Sequence, residues 1–137
     1  MTSGMPESIS REDQVAKQGG SAAGLGRLEA EVMAVLWRSD TPLLVRQVAA
    51  ALNSDRAKPL AYTTVMTVMS RLAGKGLLSR SRSGRRFVYT PAVADIAEVA
   101  VRSVLDEFGD AALARFVERA ELDPVLRERL RRLTEQP

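Results

Sequence analysis

The sequence predicts a mostly α-helical protein: a winged helix-turn-helix of three helices and a β-hairpin, followed by three further helices. Three observations lead there. Between residues 25 and 76, three stretches carry apolar residues at helical spacing. Two short segments of partly alternating character follow, meeting at a Ser-Gly pair, which is a hairpin signal. Positive charge also gathers on this same part of the chain. Residues 25–90 hold 11 Arg and Lys against 4 Asp and Glu, a balance of +7, whereas residues 91–137 hold 7 against 10, a balance of −3.

Taken in order, residues 1–24 mix Gly, Ser, Ala and charge without periodicity and read as a disordered N-terminal arm. They carry a net charge of −1, so they are not a basic arm suited to a DNA groove. A winged helix-turn-helix domain is expected over residues 25–92. Its first helix lies in "GLGRLEAEVMAVLWRSD", where Leu28, Val32, Val35 and Leu36 form one stripe. After Thr41-Pro42, "LLVRQVAAAL" gives a short second helix with Leu44, Val48 and Leu52 inward, and "NSDRAKP" is a polar loop closed by Pro59.

The third helix, "LAYTTVMTVMSRLAGKG", sets the functional question. Val65, Val68, Met69 and Leu72 share a buried face, and Thr63, Thr67, Ser70 and Gly74 oppose them, with Thr64 and Arg71 alongside. This stretch contains no acidic residue, and Gly76 stands where a C-cap glycine belongs. The hairpin "LLSRSRSGRRFVYTP" places Leu78, Phe87 and Tyr89 inward and projects Arg80, Arg82, Arg85 and Arg86 from its arms and tip, with Pro91 ending the second strand.

Residues 93–137 are expected to form a helical domain of three elements. "VADIAEVAVRSVLDEF" is apolar around much of its circumference through Ile96, Val99, Ala100, Val101, Val104, Leu105 and Phe108. Gly109 breaks it, and Asp110 is a suitable N-cap for a helix carrying Leu113, Phe116 and Val117. Asp123-Pro124, a cap followed by Pro at N1, starts a last helix with Leu126, Leu130 and Leu133. Such an arc is too wide for a lone surface helix, and a two-fold partner is the natural cover. A homodimer is therefore expected, with Ile96, Val101, Val104, Leu105, Phe108, Leu113, Phe116, Val117, Leu126 and Leu130 as its contact set.

Composition narrows the chemistry. The 137 residues include neither Cys nor His, which removes His-based triads, Cys nucleophiles, Cys/His zinc sites and disulfides. No enzyme activity, metal or cofactor is expected. No run of about 18 apolar residues occurs, and the N-terminus lacks the apolar core of a signal peptide. A cytoplasmic protein without direct membrane binding is the expectation.

A helix lying in a DNA major groove cannot present long acidic side chains to the phosphates, and short side chains let its axis approach the base edges. A Thr hydroxyl donates or accepts, and its methyl packs on thymine. Thr63 and Thr64 then position the first turn, Thr67 and Arg71 face the bases, and Ser70 and Gly74 keep the later turns slim. Wing arginines clamp the adjoining backbone without reading sequence. Double-stranded DNA is the expected partner.

The segments "LEAEVMAVLW", "VRQVAAAL", "AYTTVMTVMSRLAGKGLL" and "RRFVYTPAV" resemble the penicillinase repressor family (BlaI/MecI type), from about residue 25 to about 134. The resemblance implies a dimeric repressor on a palindromic operator. Its DNA contacts fall at Thr63, Thr64, Thr67 and Arg71 and in the wing around Arg82 to Arg86. With Tyr62 and Ser70 of the same helix, the expected DNA-binding set is Tyr62, Thr63, Thr64, Thr67, Ser70, Arg71, Arg82, Arg85 and Arg86. The resemblance also implies a membrane-bound sensor metalloprotease that ends repression by cutting the C-terminal domain. The matching bond is Arg115-Phe116, where Arg stands in place of the family's Asn and the Phe-Val-Glu context is kept. Two alternatives stay open at this point: a ligand-gated winged-helix regulator, and a winged helix used as a protein-docking module.

Overall fold

The computed structural model describes residues 24–135; the expected N-terminal arm lies, but for Gly24, outside the described residues. Six helices and one hairpin follow in chain order among them. They are α1 (Arg27–Arg38), α2 (Val45–Asn53), α3 (Tyr62–Gly74), β1 (Leu78–Ser83), β2 (Arg86–Pro91), α4 (Ile96–Phe108), α5 (Asp110–Leu122) and α6 (Pro124–Glu135). The chain divides into two compact units, the first ending at Ala100 and the second starting at Val101.

The first unit is built on an aliphatic core. Val32, Met33 and Leu36 of α1, Val48 of α2, and Val65, Met69 and Leu72 of α3 are fully buried. Leu78 and Tyr89 of the hairpin, and Val93 and Val99 beyond it, join the same cluster. Burying each such Val, Leu or Met contributes about 1.5–3 kcal/mol. Two expected core positions differ. Leu28 is half-buried at the core edge, packed against the cluster. Leu44 is not in the inner stripe: α2 begins at Val45, so Leu44 is its extended N-cap, and Val45 and Ala49 complete the buried face.

Sequence explains the element ends. The Leu44 N–H donates to Gln47 Oε1 at 2.7 Å, which starts α2. Asn53 pins the following loop by bonding both the N–H and the carbonyl of Leu60. α3 ends in a Schellman motif, with Leu77 N–H donating to the Leu72 carbonyl and Gly76 N–H to Ala73. Gly76 has φ 80°, the left-handed conformation that glycine adopts without a Cβ penalty.

β1 and β2 pair antiparallel from Leu78↔Pro91 to Ser83↔Arg86, so the tip is the two residues Gly84-Arg85. Leu43 adds a single antiparallel bridge to Tyr89, through Leu43 N–H to Tyr89 O (3.0 Å) and the reciprocal bond (2.9 Å). The base of the wing is thereby tied to the start of α2. Behind it, the Trp37 indole N–H donates to the Val93 carbonyl at 2.9 Å.

Asp95 accepts from the Glu98 N–H, and Glu98 reaches back to the Ala94 N–H, so α4 opens on a reciprocal capping arrangement. α4 passes to α5 through Gly109 alone. Gly109, not the expected Asp110, is the N-cap of α5; Asp110 lies in the first turn. The break needs positive φ (56°), which glycine supplies and Asp does not supply as readily. Asp123 caps α6 as expected, its Oδ1 accepting from the N–H groups of Val125 and Leu126.

Candidate nucleic-acid interface

α3 turns one face to the core through Val65, Val68, Met69 and Leu72 and leaves its remaining surface exposed. At 3.6 residues per turn, Thr63, Thr67, Ser70 and Gly74 form the centre of that exposed surface. Thr64 and Arg71 form one flank, and Tyr62 and Met66 form the other. A shallow groove of about 340 Å³ gathers Thr63, Thr64, Thr67 and Arg71 with Val68 beneath. No steric reason requires glycine at 74: a Cβ there would meet nothing within 4 Å. Its smallness matters only for whatever approaches from outside.

The N-terminus of α3 has no side-chain cap. Thr64 and Val65 N–H groups bond the Ala61 carbonyl, which leaves those of Tyr62 and Thr63 unpaired. Such a terminus favours an anion through its dipole and its free donors. The other end of α3 is anchored by the one buried charged residue among the described residues, Glu29 of α1. Lys75 Nζ donates to both Glu29 carboxylate oxygens (2.9 and 3.2 Å), and the Gly26 N–H donates to Oε1 (2.8 Å). Burial pushes the Glu29 carboxyl up, but the Gly26 hydrogen bond, Lys75 and the Arg71 charge together hold it below the ordinary carboxylate value. The acid is thus ion-paired inside the unit.

The wing departs from expectation at Phe87. It does not pack inward: it is 39% exposed, on the wall of an open cleft between the wing and the helices rather than in the core. Phe87 lies instead against two guanidinium groups, Arg80 at 4.3 Å and Arg82 at 5.3 Å from the ring centroid. Arg82, paired directly with Phe87 across the strands, is therefore held on the ring. Arg85 and Arg86 stand at the turn, exposed and without a carboxylate partner among the described residues.

Between wing and helices lies a second hollow, a cleft of about 360 Å³. Its walls are Leu44, Val45 and Arg46 of the α2 start, Tyr62 and Met66 of α3, and Arg85, Arg86, Phe87 and Tyr89 of the wing. Tyr62 accordingly belongs to this cleft and not to the Thr groove. Arg46 was not among the residues expected from sequence. On a helical wheel it is one more polar residue of an amphipathic helix, and only the fold brings it to the wing.

In the second unit, Val101, Val104, Leu105, Phe108, Leu113, Phe116 and Val117 are each between 39% and 57% exposed, and Ala120 alone is buried among the described residues there. Ile96, at the start of α4, is also exposed, and Leu126 and Leu130 are half-buried. Leu122, Val125 and Leu133, which were not in the expected contact set, are more exposed still. The Arg115-Phe116 bond lies midway along α5, with Arg115 paired to Glu118 across one turn. No helix among the described residues is long and apolar enough to cross a membrane.

The family model described as "Penicillinase repressor" matches residues 25–136. A protein called transcriptional regulator BlaI, from two strains of Mycobacterium tuberculosis, is 43% identical over 106 residues, covering 72% of this chain and 75% of that protein. A penicillinase repressor from Bacillus licheniformis is 33% identical over 91 residues, covering 65% of this chain and 69% of the repressor. Among solved structures, a homodimeric winged helix-turn-helix DNA-binding domain from Mycobacterium bovis, described as a possible ArsR-family regulator, is similar at 20% identity. It covers 79% of this chain and 91% of its own, with a TM-score of 0.45.

Proposed function

The chain belongs to the penicillinase repressor family, and from that membership we propose that it is a dimeric transcriptional repressor, not an enzyme, which reads a two-fold DNA operator with α3. The observation that carries this reading is the exposed face of α3. Its centre and one flank offer hydroxyls, a glycine and Arg71, its other flank Tyr62 and Met66, and nowhere a carboxylate; it adjoins a wing with unpaired arginines. Thr67 and Arg71 meet base edges; Thr63, Thr64 and the free N–H groups of the first turn hold a phosphate; Ser70 and Gly74 allow close approach. Arg85 and Arg86 clamp the backbone, and Arg82 does so from its seat on Phe87.

Selection of random duplexes by the purified protein tests this. A palindrome with half-sites about one helical turn apart, roughly 34 Å, is expected. Retention without an enriched motif would reduce the role of α3 to backbone binding, and no retention would sink the DNA reading.

A second copy of the chain is the proposed cover for the apolar side chains of α4, α5 and α6. In a single chain these side chains stand largely exposed, and a two-fold partner would bury them. Derepression in the cytoplasm then follows from cleavage at or near Arg115-Phe116, through a membrane-bound sensor metalloprotease. Severing there removes α6 and the latter half of α5, and loss of the tethered second half-site lowers operator affinity by about two to four orders of magnitude. Immunoblots of induced cells test it: full-length protein in derepressed cells rules cleavage out.

A further inference from the structure

A helix seated in a major groove has one phosphodiester strand on each flank. On α3 the flanks differ. Thr64 and Arg71 border one side, whereas Tyr62 and Met66 open on the other into the cleft shared with the wing. That cleft brings together three guanidinium groups from two elements: Arg46 from α2, and Arg85 and Arg86 from the turn and second strand of the wing. No carboxylate lines it, and none of the three arginines has an acidic partner among the described residues. Between the charges lies an apolar surface of Tyr62, Met66 and Phe87, the first 52% and the other two 39% exposed. Convergent cations without counter-charge, set around apolar and aromatic side chains, suit a ligand that alternates anion and apolar edge. The sugar-phosphate backbone of DNA has that alternation, with a deoxyribose between each pair of phosphates.

We infer that this cleft seats the wing-side strand of the operator, with Arg46 as a phosphate-binding residue on α2. The inference rests on the DNA reading of α3 and adds to it a third point of attachment. The Leu43–Tyr89 bridge gives that point its position. It joins the wing to the residue just before the α2 N-cap, so the two elements that carry Arg46 and the wing arginines are tied together beside the cleft. Tyr62, Met66 and Phe87 pack on the intervening sugars. None of these contacts reads a base, so the cleft sets affinity and register and leaves sequence choice to the Thr face.

Arg46 is exposed on α2, so Arg46→Ala leaves the core intact, which circular dichroism of the full chain verifies. The test uses a duplex retained in random-pool selection and an unrelated duplex of equal length. Arg46→Ala is expected to weaken both by the same factor and to reduce the slope of log affinity against log salt by about 0.9 per recognition unit. Arg46→Lys, which keeps the charge, is expected to restore the slope. A scan of single neutral methylphosphonate linkages locates the contact. One linkage on one strand of each half-site should weaken the wild type and leave Arg46→Ala unaffected. If Arg46→Ala keeps the wild-type slope and the wild-type response to every linkage, the inference is overturned while the reading of α3 stands. If the wild type itself retains no duplex, the DNA reading falls first and the cleft with it.

Discussion

At the scale of single residues, the division of labour between α3 and the wing makes a sharp prediction. Thr63→Ala with Thr67→Ala is expected to lower affinity for the selected operator by about 1–3 kcal/mol per lost base contact, with little change on unrelated DNA. Arg85→Ala with Arg86→Ala is expected to weaken all duplexes alike and to flatten the salt dependence. Equal behaviour of the two pairs across sequences would end that division. Glu29 carries a second prediction. Its folded carboxyl lies below the ordinary value, so its stabilising contribution is complete above that value and is lost as pH falls through the folded one. Urea midpoints followed from neutral pH into the acid range should show this loss, and Glu29→Gln should reduce it. The Thr face was legible from sequence because helical periodicity alone sorts its residues. The Glu29–Lys75 pair was not, since its members stand 46 residues apart and each looks like a surface charge until folding joins them.

At the scale of elements, helix ends were more legible than strand faces. Gly76 and Asp123-Pro124 act through local backbone chemistry, and both do what their residue types dictate. Phe87 shows the limit of alternation. The period of two assigns it the same strand face as Tyr89, but burial depends on how closely that face is packed, and at Phe87 it borders an open cleft rather than the core. Arg46 shows the same limit in a helix, where sequence gives the polar face and not its neighbour. Two glycines of α3 and its cap separate structural from functional smallness. Gly76→Ala places a Cβ at φ 80° and should cost about 1–2 kcal/mol. Gly74→Ala meets open space and should stabilise α3 by about 0.5–1 kcal/mol, yet weaken operator binding by holding the helix off the bases. Thermal melts paired with binding isotherms decide both. A Gly74→Ala variant that binds as the wild type does would remove Gly74 from the interface.

At the scale of the whole molecule, two units differ in how far each satisfies its own apolar surface. The first has a closed core; the second buries Ala120 alone among its described residues. Val104→Asp with Phe108→Asp is therefore expected to convert the sedimenting species from dimer to monomer. Operator affinity should fall by about two to four orders of magnitude, while helix content stays near that of the wild type. A dimer that persists in this variant would place the self-association surface elsewhere. The apolar breadth of α4 was plain in the sequence, whereas what covers it is a property of an assembly, which no periodicity in one chain encodes. The chain's single tryptophan gives these experiments an intrinsic optical signal. The indole of Trp37 bonds to the carbonyl of Val93, the second residue beyond the end of β2. Detachment of that segment would wet the ring and shift its emission to the red. Unlabelled protein, excited at the indole band, thus shows whether the strap beyond the wing stays docked while DNA is bound or the C-terminal helices are cut away.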